Sequence, residues 1–142
     1  MKKTKTQSKI LTTLLLLLFV FFAFAACGEA TLWDNARYKA DVTVGTGETT
    51  VTVKVTAEER TVTVTLKTDE KTVADALTAA DLANGKTGEY GLMVTYVNGI
   101  RADYNLDGGY WWGFYVNGEM AQVGVSSVPV TAGDVYEFKR QK

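Results

Sequence analysis

The 142-residue chain carries 15 basic and 16 acidic residues, a formal net charge of −1, and 46% of it is apolar. It holds no histidine and one cysteine, Cys27, which speaks against Ser-His or Cys-His catalysis and imidazole metal sites and leaves no pair for an internal disulfide. All 16 acidic residues but only 11 of the basic ones follow Cys27, so that part lacks the basic face a nucleic-acid partner requires.

The N-terminus sets Lys2, Lys3, Lys5 and Lys9 before an apolar run from Leu14 to Phe22, then the small residues Ala25 and Ala26. That order is the layout of a signal peptide over 1–26. The stretch from Ile10 to Ala26 also approaches the length of a transmembrane span, and Cys27 separates the two readings. Phe24-Ala25-Ala26-Cys27 resembles the lipobox of bacterial lipoproteins, with Phe24 in place of the usual Leu. The resemblance implies cleavage before Cys27, a diacylglyceryl group on its thiol, and an extracytoplasmic protein anchored to the cell membrane. Two acyl chains suffice for stable anchoring. An uncleaved signal anchor with an inert cysteine is the alternative. Cleavage leaves 116 residues, enough for one domain with a modest core.

Residues 27–38 show no clean period and read as a lipidated tether to a domain over 39–142; Trp33 within it either rests at the membrane interface or docks on the domain. Val42 and Val44 hint at a short strand. Val51, Val53 and Val55 alternate with Thr50, Thr52, Lys54 and Thr56, and Val62, Val64 and Leu66 with Thr61, Thr63, Thr65 and Lys67. Period two with β-branched residues predicts a hairpin with one buried face, turning at Ala57–Arg60. The period then changes: Val73, Ala76, Leu77 and Ala80 fall on one helical stripe, capped by Thr72 with Asp75 in the first turn. The predicted helix ends near Asn84 and Gly85, with a loop at 85–88. Strand signals return at 92–97, 110–116, 121–125 and 135–139, and Asn98-Gly99 and Asn117-Gly118 are hairpin-turn dipeptides. Hairpin, short helix, then several mainly antiparallel strands make an α+β, β-grasp-like fold.

Four segments carry a further likeness: 72–77 (Thr-Val-Ala-Asp-Ala-Leu), 96–104 (Tyr-Val-Asn-Gly-Ile-Arg-Ala-Asp-Tyr), 110–119 (Tyr-Trp-Trp-Gly-Phe-Tyr-Val-Asn-Gly-Glu) and 133–138 (Gly-Asp-Val-Tyr-Glu-Phe). In colinear order from about Thr50 onward, they resemble the transcobalamin-like C-terminal domain of bacterial surface lipoproteins. In transcobalamin and intrinsic factor, the related domain lies over one face of cobalamin while a helical barrel domain holds the other. The resemblance implies a ligand-binding fold, with cobalamin or another corrinoid as the candidate ligand. This chain has neither the barrel nor a histidine for cobalt. The resemblance further implies a ligand near Trp111, Trp112, Tyr104 and the Gln122-Val123-Gly124 segment, where Gln122 and Gly124 match a Gln-Gly region apart from the extra Val123.

On a strand over 110–116, Tyr110, Trp112, Phe114 and Val116 share one face, read as core, and Trp111, Gly113 and Tyr115 share the other. Trp111 and Tyr115 around Gly113 either make a flat apolar floor for a planar ligand or partner, or pack beneath the 100–109 loop. Asp103, Asn105 and Asp107 before Gly108 match the opening of a calcium loop, but Phe114 stands where the closing acid belongs, and the same residues are ordinary turn formers. No arrangement supports an enzyme. Two functions follow: an extracytoplasmic ligand-binding lipoprotein acting as a surface receptor or transporter accessory, or a non-enzymatic cell-surface module that docks a partner protein.

Overall fold

Alternating valine and threonine builds the centre of the molecule. Strand β1 (Val42–Gly45) is followed by β2 (Thr49–Ala57) and β3 (Arg60–Thr68), the latter two joined by a tight turn at Glu58-Glu59, where Glu58 takes a positive φ of 57°. One face of β2 and β3 is fully buried at every second residue, Val51 to Ala57 and Val62 to Thr68, while the threonines between them face outward. The structure is a computed structural model and describes residues 28–142, with Leu32–Lys142 forming one compact unit. The signal peptide read over 1–26 and the lipidation read at Cys27 lie outside the described residues. No helix among the described residues is long and apolar enough to cross a membrane.

Helix α1 (Val73–Ala79) starts where the sequence places it: the Thr72 hydroxyl accepts from the Asp75 amide and donates to the Asp75 carboxylate. It ends earlier than the stripe predicts. Asp81 takes a left-handed φ of 54°, and the Leu82 amide donates back to Leu77 O. This turn drives Leu82 into the core and frees Ala83–Gly88 to form β4 instead of the predicted loop. Strand β4 pairs antiparallel with β5 (Gly91–Val97), with a bulge at Asn84/Gly85, and β6 (Ile100–Arg101) completes a three-stranded sheet.

The remaining strands are β7 (Trp111–Val116), β8 (Glu119–Met120) and β9 (Val135–Gln141). The larger sheet has the order β1-β3-β2-β9-β7-β8, in which β9 lies parallel to β2 and antiparallel to β7. This α+β arrangement is the expected β-grasp-like one. Asn98-Gly99 and Asn117-Gly118 turn as expected, with all four residues at positive φ. The strand predicted at 121–125 does not form. After the Ala121 amide donates to Phe114 O the chain leaves the sheet, and Val125–Ser127 makes a 3-10 turn. The apolar faces of the large sheet, α1 and the small sheet meet in one core that includes Leu77, Leu82, Val97, Ile100, Tyr136 and Phe138.

The segment read as a tether also differs. Leu32–Asn35 forms a 3-10 turn that buries Trp33, whose Nε1 donates to Ala57 O at 3.2 Å while the Arg60 guanidinium lies 4.6 Å over its ring. Residues 32–38 therefore belong to the folded unit, and Trp33 takes the docked alternative of the two its sequence left open. A large ring with an N–H gains more by burial against a carbonyl than by remaining in water.

Candidate functional site

The alternation of β7 decides the site. Trp112 (7% exposed) and Phe114 point inward, and Phe114 stacks on Phe138 of β9 with ring centroids 5.0 Å apart. The core reading of that face holds. On the opposite face Trp111 is 38% exposed, but the expected floor between Trp111 and Tyr115 is not open. Gln141 pairs directly across from Trp111, and its carboxamide lies over Gly113: a Cβ built there would meet Gln141 side-chain atoms at 2.8–2.9 Å. The Tyr115 hydroxyl donates to Gln141 Oε1 at 3.2 Å, and Lys139 Nζ sits 4.5 Å over the Tyr115 ring. Glycine there admits a neighbour's side chain instead of leaving room for a ligand.

The apolar concavity lies around the other side of β7. Strand β8 pairs with β7 only at Tyr115 and Val116, so on that side Trp111–Gly113 lies outside any strand pairing. A groove of about 270 Å³ opens there, walled by Trp112 and Phe114 of β7, Leu92 and Val94 of β5, and Val125. Trp111, Met93 and Val123 stand exposed at its rim, and Gly124 contributes to its wall. Among the described residues, Trp112 Nε1 is the buried side-chain polar atom without a hydrogen-bond partner. A buried donor in that state is an unmet cost that an acceptor would relieve.

The structure thus brings Trp111, Trp112 and Gly124 together and leaves Tyr104, Tyr115 and Gln122 outside the groove. Tyr104 is 66% exposed on the 103–109 loop, and the exposed Gln122 donates from Nε2 to Met120 O at 3.3 Å. Sequence reasoning missed Leu92, Val94, Met93, Phe114 as a wall, Val123 and Val125. Their apolarity was visible, but their convergence depends on how the small sheet packs against β7.

The calcium candidate is spent on protein contacts. Asp107 accepts Arg101 Nε at 2.9 Å and Nη2 at 2.7 Å, and its Oδ2 also accepts the Asp103 amide at 2.8 Å. Asp103 Oδ1 accepts the amides of Asn105 and Leu106. The Arg101 hydrogen bonds hold the Asp107 carboxyl below the usual carboxylate range and push the Arg101 guanidinium up. Half a calcium loop has closed on an arginine. No group of three or more His, Cys, Asp or Glu is placed to hold a metal ion among the described residues.

Several solved structures share this fold, two of which are informative. One, from Ruminococcus gnavus, bears a provisional metal-binding description; it is 29% identical over 67% of this chain and 98% of its own, with a TM-score of 0.61. The other is haptocorrin in complex with Cbi, 20% identical over 66% of this chain, with a TM-score of 0.52. The matched region spans 25% of haptocorrin's length, so the likeness concerns one part of that protein. No curated protein matches the chain. Residues 70–142, just over half of the sequence, match the family model described as a domain of unknown function, DUF4430. These residues run from the loop between β3 and α1 through β9 and include the whole groove, and the chain accordingly belongs to the DUF4430 family.

Proposed function

We propose that this protein is a lipid-anchored, extracytoplasmic ligand-binding protein whose groove beside β7 takes the edge or one face of a largely apolar small molecule, with a corrinoid as the candidate. The observation that carries this reading is the groove itself. Its wall of Trp112, Phe114, Leu92 and Val94 is apolar, its rim exposes Trp111, Met93 and Val123, and Trp112 offers a buried donor with no acceptor. A mainly apolar recess suits an amphipathic ligand better than an ion. Its volume of about 270 Å³ falls at or below the lower end of enclosing pockets. It covers part of a ligand, and affinity without a second protein, such as a membrane transporter or a surface partner, is modest. The fold shared with haptocorrin, itself crystallised with Cbi, supports the choice of ligand class. With no histidine, the chain supplies no imidazole to the cobalt of a corrinoid.

The test is a titration of the chain from Gly28 onward, which contains the whole compact unit, with cobalamin and cobinamide, read by tryptophan fluorescence and calorimetry. Saturable quenching that Trp111→Ala weakens supports the reading. Absence of binding up to millimolar ligand overturns it and leaves a protein-docking module. The lack of strand pairing beside Trp111–Gly113 favours that second reading, since an extended partner segment could add there.

A further inference from the structure

The point where the chain joins the domain selects one end of the large sheet. Trp33 is tied to Ala57, the last residue of β2. Strand β9 runs parallel to β2, so Arg140 and Gln141 finish at that same end, and β7, antiparallel to β9, begins there with Trp111 opposite Gln141. The loop that feeds β7 therefore lies beside the first residues of the folded unit. Leu32 and Asp107 line one concavity of about 450 Å³ together with Arg101 and Arg140.

This loop is fixed by its own contacts. Arg101 clamps Asp107, Arg140 Nε donates to Arg101 O at 2.9 Å, and the Asp107 amide donates to Asp103 O at 2.8 Å. Its tip nevertheless presents Tyr104 and Leu106 to solvent, 66% and 68% exposed. A rigid loop that holds an aromatic and an aliphatic side chain in water exposes apolar surface at a standing cost, which contact with a membrane interface removes. Four residues, Gly28–Thr31, separate Cys27 from Leu32. Five Cα steps reach at most about 18 Å, less than the roughly 30 Å length of the nine-residue strand β2.

We infer that the 103–109 loop is a membrane-contact element: Tyr104 and Leu106 enter the headgroup layer of the bilayer that carries the lipid on Cys27, and the domain stands with this end of its sheet down. The inference rests on the lipid-anchor reading, since the short tether supplies the high effective concentration that two side chains alone do not. Tyr104 and Leu106 are uncharged, so the contact is apolar and holds on zwitterionic lipid.

The experiment uses the lipidated full-length protein in phosphatidylcholine vesicles whose acyl chains carry a quencher. Because the lipid occupies the only native cysteine, Asn105→Cys on the loop and Ala132→Cys in the turn before β9, at the far end of the sheet, each give a single site for a fluorescent label. The label at 105 should lose most of its fluorescence while the label at 132 keeps it. Adding Tyr104→Ser and Leu106→Ser should restore the signal at 105. Equal quenching at both positions, with Cys27 shown by mass to carry diacylglycerol, overturns the contact and leaves the anchor standing. An unmodified Cys27 overturns both.

Discussion

Asn98 and Tyr38 exchange two hydrogen bonds: the Tyr38 amide donates to Asn98 Oδ1 at 2.9 Å, and Asn98 Nδ2 donates to Tyr38 O at 2.8 Å. Asn98 is fully buried, and its own amide and carbonyl are taken by Leu82 O and the Arg37 amide. One side chain, shaped like a peptide group, thus welds residues 37–38 to the β5–β6 turn. Its φ of 53° is one that asparagine tolerates better than alanine does. Asn98→Ala leaves the part-buried Tyr38 amide and carbonyl unpaired and adds backbone strain, and should cost about 2–4 kcal/mol in urea unfolding. Proteolysis near residues 32–38 should accelerate more than elsewhere.

Leu77 is 1% exposed on the apolar stripe of α1. Leu77→Ala should lower stability by about 2–5 kcal/mol. Thr72→Ala, which removes the cap of the same helix, should cost about 1 kcal/mol. An unchanged unfolding midpoint for Leu77→Ala would place the helix outside the core.

The groove makes separable claims about its two tryptophans. Trp111→Ala, at the rim, should weaken corrinoid binding by about 1–2 kcal/mol, or roughly 5- to 30-fold, with little change in stability. Trp112→Phe keeps most of the wall and removes the unpartnered Nε1 donor. It should leave the unliganded domain as stable as before or slightly more so, and weaken binding only of ligands that present an acceptor. Calorimetry on both variants reads the difference.

Asp107 links loop order to pH. Because Arg101 holds its folded-state pKa below the unfolded value, the pair stabilises the fold above the ordinary carboxylate range, and that contribution is lost as pH falls through the lowered value. Asp107→Asn should melt below wild type at pH 7, and the gap should close on acidification below about pH 4, where the unfolded carboxyl is protonated. Thermal melts of both proteins across this range test it. Added calcium should leave the wild-type midpoint unmoved, since the Asp107 oxygens already face Arg101 and the Asp103 amide.

Cys27→Ala should release the protein from membranes or leave a slower-migrating uncleaved precursor. Membrane attachment and mobility equal to wild type would remove the lipobox reading.

How far the sequence could be read follows from where each structural cause lies. The β2–β3 hairpin, the cap of α1 and the two Asn-Gly turns are local, and period-two alternation, Thr72 and the dipeptides announce them. Strand β4, Ala83–Gly88, was illegible, because Ala-Asn-Gly-Lys-Thr-Gly has no strand propensity and becomes a strand only by pairing with β5. The parity of β7 correctly separated Trp111 from Trp112, yet the occupant of the space above Gly113 comes from residue 141, on a strand whose register no local rule gives. The groove failed to announce itself for the same reason: its walls come from β5, β7 and the 123–125 segment, which approach only in the finished fold.

Parallel pairing between β2 and β9 makes residues more than eighty positions apart direct neighbours. Until Val135–Gln141 is available, β2 has one partner instead of two and β7 has none along most of its length, so the Trp112 and Phe114 faces have no sheet to close upon. Closure of the large sheet, and with it cooperative folding, therefore waits on β9, which must pair with β2 on one side and β7 on the other before either aromatic face is covered.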